Sequence, residues 1–91
     1  MHSSDAELRR SIVDWLDDQY HFGEAESLIM SDDQSFLETG VLTSLGFVQL
    51  VLHLERTLGI RIERGALTRA NFDGMNKIIA FVRTCEQATS A

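Results

Sequence analysis

Ninety-one residues with a hydrophobic fraction of 44% supply one compact core, but not a large enzyme cleft. The chain has no run of eighteen apolar residues, which argues against a membrane span. Residues 1–43 carry ten acidic and two basic residues, net −8, whereas residues 44–91 carry four and six, net +2, for a total of −6. Because the acidic half would repel phosphates, nucleic acid is not an expected partner. The acidic excess either keeps the chain soluble or steers a basic partner.

The first residues and the single cysteine bear on the expected cellular compartment. The first ten residues, MHSSDAELRR, lack the apolar core of a secretory signal. The single cysteine, Cys85, can form neither an internal disulfide nor a zinc site, and it suits a reducing compartment. We therefore expect a cytoplasmic protein with one domain over residues 1–91, ordered from about residue 4 to residue 86 and flexible at both short termini.

The first predicted helix lies in the segment SSDAELRRSIVDWLDDQYHF. Ser4 and Glu7 have the spacing of a capping box, in which side chains satisfy backbone N–H groups at the helix start. Apolar residues then recur on one helical face, at Leu8, Ile12, Trp15 or Leu16, and Tyr20. We expect Trp15 to be a core residue.

Residues 21–43 show no sustained helical period and are interrupted by glycines, serines and a pair of aspartates. This pattern predicts a loop that is long for so small a domain, so its own apolar residues must pin it to the core. Those residues are Leu28, Ile29, Phe36, Leu37, Val41 and Leu42.

The second predicted helix starts at Thr43 or Ser44 and ends near Gly59, a typical helix-terminating glycine. A short extended piece, IRIE, follows, and ALTRANF predicts one or two helical turns. The last helix covers DGMNKIIAFVRTCEQ, with Asp73 as its N-cap. Its predicted core residues are Met75, Ile78, Ile79, Val82 and Cys85. The sequence thus predicts an all-α bundle of three to four helices, with a long loop between the first two.

The second helix has apolar residues on two sides, at about 100° of rotation per residue. One cluster contains Phe47, Leu50, Val51, Leu54 and Leu58. The other side carries Leu45, Val48 and Leu52, together with the polar Gln49 and Arg56. Since a helix packed on one core needs a single apolar stripe, the second stripe is either covered by the long loop or exposed for a partner.

Ser44 lies in the first turn of this helix, where backbone N–H groups lack intrahelical partners and the helix dipole is positive. A phosphodiester attached to this serine would be stabilised there. An enzyme docked on the second stripe would find the serine at the edge of its footprint. The alternative is that Ser44 or Thr43 only caps the helix.

The stretch FLETGVLTSLGFVQLVLHLERTLGIRI resembles the acyl and peptidyl carrier proteins. Their signature is a loop ending in glycine, two apolar residues, and then Asp-Ser-Leu opening a helix. In that family the serine carries 4′-phosphopantetheine from coenzyme A, whose thiol holds an acyl or aminoacyl group as a thioester. The resemblance implies that Ser44 carries this arm, flanked by Thr43 and Leu45. It also implies that partner enzymes contact Leu45, Val48 and Leu52, with Gln49 and Arg56 beside them.

Within the family, FLETGVL and NFDGMNKIIAFV look most like D-alanyl carrier proteins and stand-alone aminoacyl or peptidyl carriers. The segment LTRANF is also similar to carriers of glyceryl or methoxymalonyl units. One departure is Thr43 in place of the family's Asp. Thr still caps a helix, but it does not add a negative charge beside the serine. A second is the docking face, which is rich in Glu in carriers of fatty-acid synthesis but offers Gln49, Glu55 and Arg56 here. Its partners are therefore not expected to be the ordinary enzymes of fatty-acid synthesis.

The residue pattern supports neither a metal site nor a serine hydrolase. His2, His21 and His53 lack the spacing of metal ligands, and no G-x-S-x-G elbow surrounds Ser44. We expect a monomeric carrier, not an enzyme. A phosphopantetheinyl transferase would attach the arm, an adenylating ligase or acyltransferase would load it, and downstream biosynthetic enzymes would use the tethered group at high effective concentration. The rival hypothesis, motivated by Thr43, is an interaction module with the same fold that is not modified.

Overall fold

The computed structural model describes the backbone of residues 4–89 and the side chains of residues 4–85. Six α-helices and two irregular helical turns follow one another, and no strand occurs in this part of the chain. The helices are α1 (Asp5–Leu16), α2 (Ala25–Leu28), α3 (Phe36–Thr39), α4 (Ser44–Leu58), α5 (Arg69–Phe72) and α6 (Met75–Thr89). A π-helical turn, Asp17–His21, follows α1, and a 3₁₀ turn, Arg64–Ala66, precedes α5. The predicted all-α bundle of three to four helices is confirmed, with α1, α4 and α6 as its long helices. Helix α6 extends to Thr89, three residues beyond the expected ordered core, and residues 1–3 and 90–91 lie outside the described residues.

Helix α1 is capped at its start by Ser4 and is followed by a π-helical turn, after which different residue positions face the core. The Ser4 hydroxyl accepts a hydrogen bond from the Glu7 N–H at 3.1 Å, as the capping-box spacing predicts. Leu8, Ile12, Val13, Trp15 and Leu16 are buried. Tyr20 was predicted on the same face, but it is exposed. The π-helical turn changes the residue spacing after Leu16 and so breaks the 3.6-residue period that the prediction assumed.

The long connection is more helical than its sequence indicates, because it contains α2 and α3. Four of the six residues predicted to pin it are buried: Ile29, Phe36, Val41 and Leu42. Leu37 is half-buried, and the prediction was wrong for Leu28, which is exposed. Arg9 of α1 adds a polar attachment, since its guanidinium binds both carboxylate oxygens of Glu26, at 2.6 and 2.9 Å, and the carboxylate of Asp32 at 3.0 Å.

Helix α4 has the predicted ends and the predicted core face. Gly59 adopts the left-handed conformation, φ 66°, in which a residue with a Cβ is disfavoured, and it terminates the helix. Leu50, Val51 and Leu54 are buried, while Phe47 and Leu58 are half-buried and pack against the core. Glu55 is the only acidic residue of the helix, and its Oε2 accepts a hydrogen bond from the Ile62 N–H at 2.9 Å. Ile60 and Ile62 are buried and belong to the core, whereas Arg61 and Glu63 between and after them are exposed.

The start of α6 corrects the predicted N-cap. The helix begins at Met75, and Asp73 ends α5 instead. The Asp73 carboxylate accepts hydrogen bonds from Ser35, Leu37 and Arg69, not from the first turn of α6. The core of α6 is as predicted for Met75, Ile78, Ile79 and Val82, which are buried, and Cys85 packs against them at the edge.

Candidate functional site

Thr43 and Ser44, the two hydroxyl residues at the start of α4, have different structural roles. Thr43 is the N-cap, and its Oγ1 accepts a hydrogen bond from the Gly46 N–H at 3.1 Å. Ser44 is the first helical residue and is exposed, and its hydroxyl makes no hydrogen bond with another described residue. The sequence left open whether Ser44 only caps the helix. The structure gives the cap to Thr43 and leaves the Ser44 hydroxyl accessible.

The electrostatics of this helix start favour an anion. The first turn of α4 contains no acidic residue. Thr43 accepts two hydrogen bonds, from the Gly46 N–H to its side-chain oxygen and from the Phe47 N–H to its carbonyl oxygen, each at 3.1 Å. The preceding N–H groups, at Ser44 and Leu45, have no intrahelical partner by position. A phosphodiester on the Ser44 oxygen would therefore sit at the positive end of the helix dipole without repulsion from the first turn.

A cleft of about 180 Å³ opens beside Ser44, between α4 and the segment that leads into α5. Its lining is mostly apolar. It is lined by Leu37, Ser44, Phe47, Val48, Leu67, Thr68, Arg69, Phe72 and Asp73. An accessible hydroxyl at the edge of an apolar cleft fits the attachment of a long group with both polar and apolar parts.

Asp73 fastens the elements around this cleft to one another. Its buried carboxylate accepts hydrogen bonds from the Ser35 hydroxyl at 2.6 Å, the Leu37 N–H at 2.9 Å and the Arg69 guanidinium at 2.9 Å. Burial alone would raise the pKa of Asp73, but the hydrogen bonds from Ser35, Leu37 and Arg69 outweigh it and hold the pKa below its ordinary value. This cluster, which we name the Asp73 clasp (Ser35, Leu37, Arg69 and Asp73), joins α3 to α5. Sequence reasoning missed it.

The second apolar stripe of α4 is exposed, so the long loop does not cover it. Leu45 is 67% exposed, and Val48 and Leu52 are each 47% exposed. Gln49 and Arg56 are exposed as well. The side-chain oxygen of Gln49 accepts a hydrogen bond from the Tyr20 hydroxyl, which joins the stripe to the end of the π-helical turn. The structure thus brings the five predicted partner-binding residues together on one outward face.

His53 lies on the flank of α4 and stacks on the buried Trp15, with 5.6 Å between ring centroids. Burial, and secondarily the charge of Arg56, lower the pKa of His53, so its ring is neutral at neutral pH.

Within residues 4–85, no group of three or more His, Cys, Asp and Glu side chains is placed to hold a metal ion. None of the helices described here is both long enough and apolar enough to cross a membrane.

Comparison of the chain with known protein families shows the family to which it belongs. The family model described as "Phosphopantetheine attachment site" matches residues 8–73, a range that includes most of α1, the long connection and all of α4. The chain belongs to this family of phosphopantetheine carriers. Membership implies a covalently attached 4′-phosphopantetheine, and the accessible Ser44, the anion-favouring helix start and the neighbouring cleft fit such a group.

Curated carriers from lactobacilli resemble the chain over much of its length. The D-alanyl carrier protein of Lacticaseibacillus casei (strain BL23) is 30% identical over 83 residues, which are 91% of this chain and 99% of that carrier. The D-alanyl carrier protein of Lacticaseibacillus rhamnosus is 39% identical over 54 residues, 59% of this chain and 67% of that carrier. D-alanyl carrier protein 1 of Lactiplantibacillus plantarum is 33% identical over 61 residues, 67% of this chain and 76% of that carrier.

Proposed function

We propose that the chain is a stand-alone carrier that holds an aminoacyl group, of the D-alanyl type, on a 4′-phosphopantetheine arm attached to Ser44. The observation that carries the attachment site is the accessible Ser44 hydroxyl, which Thr43 releases from the capping role. The aminoacyl cargo is supported by the relatives, which are D-alanyl carrier proteins. When bound, the arm supplies the thiol that holds the cargo as a thioester.

The chain's own residues contribute position and recognition, not catalysis. The backbone N–H groups of Ser44 and Leu45 stabilise the negative charge next to the serine. The exposed stripe of Leu45, Val48 and Leu52 gives partner enzymes an apolar surface that begins one residue after the attachment site. A small exposed stripe suits weak docking, which a shuttle needs because it must leave one enzyme before it meets the next.

Three classes of partner follow from this role. A phosphopantetheinyl transferase attaches the arm from coenzyme A, an adenylating ligase or an acyltransferase loads it, and a biosynthetic enzyme accepts the cargo. All three must reach the same serine or the arm that starts there. They therefore compete for the exposed face of α4, and Gln49 and Arg56 supply its polar contacts.

The attachment site is tested with the purified chain, coenzyme A and a broad-specificity phosphopantetheinyl transferase. We expect the intact mass to rise by one phosphopantetheine group and a peptide map to place the group on Ser44. Ser44→Ala should keep the fold and the unmodified mass. A wild-type chain that gains no mass, or an arm that persists in Ser44→Ala, would overturn the proposal and favour the unmodified interaction module.

A further inference from the structure

Phe22 displays its ring to solvent at a place where the backbone is unusual. It is 86% exposed, and its φ of 49° lies in the left-handed region that residues other than glycine rarely adopt. Residues other than glycine in such sparsely populated backbone conformations cluster at functional sites.

The turn that carries this ring is held by hydrogen bonds. The Phe22 N–H donates to the Asp17 carbonyl oxygen at 2.8 Å, and the Glu24 N–H donates to the His21 carbonyl oxygen at 3.0 Å. The Asp17 side chain also accepts a hydrogen bond from the Ala25 N–H, at 2.8 Å. The ring therefore projects from a fixed turn, so little ordering entropy would be lost when a partner binds it.

The same turn is fastened to the attachment site. The Tyr20 hydroxyl donates to the side-chain oxygen of Gln49 on the exposed face of α4. His21 Nε2 donates to the Val41 carbonyl oxygen at 2.8 Å, in the segment that leads into Ser44. Two hydrogen bonds therefore join the turn of residues 17–24 to the exposed face of α4 and to the segment that precedes Ser44.

The charge of the turn differs from that of the stripe. Asp18 and Glu24 flank Phe22, are exposed, and form no ion pair with another described residue. On α4 the only acidic side chain, Glu55, is used internally by the Ile62 N–H. An enzyme that holds coenzyme A beside Ser44 must bind the phosphates of that molecule, and it does so with cationic side chains. The acidic turn is complementary to such a surface.

We propose that the turn of residues 17–24, with Phe22 at its centre, is a second contact surface for the phosphopantetheinyl transferase. The ring of Phe22 enters an apolar socket of that enzyme, and Asp18 and Glu24 face its cationic residues. This proposal rests on the proposed function, in which Ser44 receives the arm. It supplies acidic contacts near the serine where the family's Asp is replaced by Thr43.

The test compares Phe22→Ser with Met30→Ser, using a broad-specificity transferase and coenzyme A. Met30 is a matched control because it is 90% exposed in the same connection, yet its N–H is bonded to Gln34 and not to the α4 side. We expect Phe22→Ser to lower kcat/KM for the carrier by about fivefold or more, through KM, with the melting temperature unchanged or higher. Met30→Ser should match the wild type.

A charge test and three contrary outcomes complete the experiment. The double variant Asp18→Lys, Glu24→Lys should also raise KM and should weaken the dependence of the rate on salt. Equal kinetics for Phe22→Ser and Met30→Ser would overturn the proposal while leaving the attachment site intact. A wild-type dimer that Phe22→Ser converts to a monomer in sedimentation velocity would assign the ring to a second copy of this chain and also overturn it. If the wild type accepts no arm, the proposed function fails and this proposal fails with it.

Discussion

Leu52 and Leu54 are two residues apart on the same helix, yet Leu54 is fully buried and Leu52 is 47% exposed. The two faces of α4 have the same kinds of side chain, so hydrophobicity alone does not distinguish them. The inward face of Leu50, Val51 and Leu54 holds the helix to the bundle. The outward face of Leu45, Val48 and Leu52 keeps about half or more of its apolar surface exposed to solvent. One helix therefore combines a rigid support for Ser44 with a surface for its partners.

The largest effect that separates the two faces is on stability. Leu54→Ala should lower the free energy of unfolding by about 2–5 kcal/mol, because it leaves a cavity in the core. Leu52→Ala and Val48→Ala should change it by no more than about 0.5 kcal/mol and should instead slow modification of Ser44. Urea denaturation of the three variants measures the difference. Equal losses for Leu52→Ala and Leu54→Ala would show that the outward face is core.

The Asp73 clasp extends the contrast to the elements around the cleft. Asp73→Asn should cost about 2 kcal/mol, because it removes charge-assisted hydrogen bonds from a buried position. The pKa of Asp73 is lowered in the folded state, so its stabilisation is complete above its ordinary pKa and is lost as the pH falls through the folded pKa. Denaturation curves between neutral and acidic pH should show that Asp73→Asn lacks this part of the pH dependence. A mutant with the wild-type pH profile would mean that Asp73 is not the titrating group.

The two hydroxyl residues at the start of α4 provide a smaller and sharper contrast. Thr43→Ala should lower the free energy of unfolding by about 1 kcal/mol, because the Gly46 N–H loses its acceptor. Ser44→Ala should change it by less than about 0.5 kcal/mol, since its hydroxyl bonds to no described residue. Thermal unfolding of both variants checks the order. A larger loss of unfolding free energy for Ser44→Ala than for Thr43→Ala would show that Ser44, and not Thr43, caps the helix.

The smallest expected effect concerns the charge that Thr43 lacks. Thr43→Asp keeps a capping oxygen and adds a negative charge at the positive end of α4, an interaction worth about 0.3–1 kcal/mol. If that charge also aids recognition, the initial rate of modification should rise by about two- to fivefold with at least one transferase. The melting temperature should not fall. No gain with any transferase tested would mean that Thr43 is neutral for recognition.

The features that the sequence predicted are those set by local spacing. The Ser4 cap, the Gly59 terminus and the two faces of α4 each depend on residues within a few positions of one another. The misses have two physical causes. Helices α2 and α3 are four residues long, too short to show a period, and the π-helical turn shifts the period at Tyr20. Two of the three partners of Asp73, Leu37 and Ser35, lie 36 and 38 positions away in the sequence, so local spacing does not distinguish a buried clasp from an N-cap.

The central claim is that Ser44 is displayed for modification while its neighbours hold the helix. The most direct measurement is the intact mass and peptide map of the chain isolated from the cells that produce it naturally. The mass should exceed that of the bare chain by one phosphopantetheine group or more, counting any cargo, with the added mass confined to the peptide that contains Ser44. A bare chain, or an added group on any other residue, would contradict the claim.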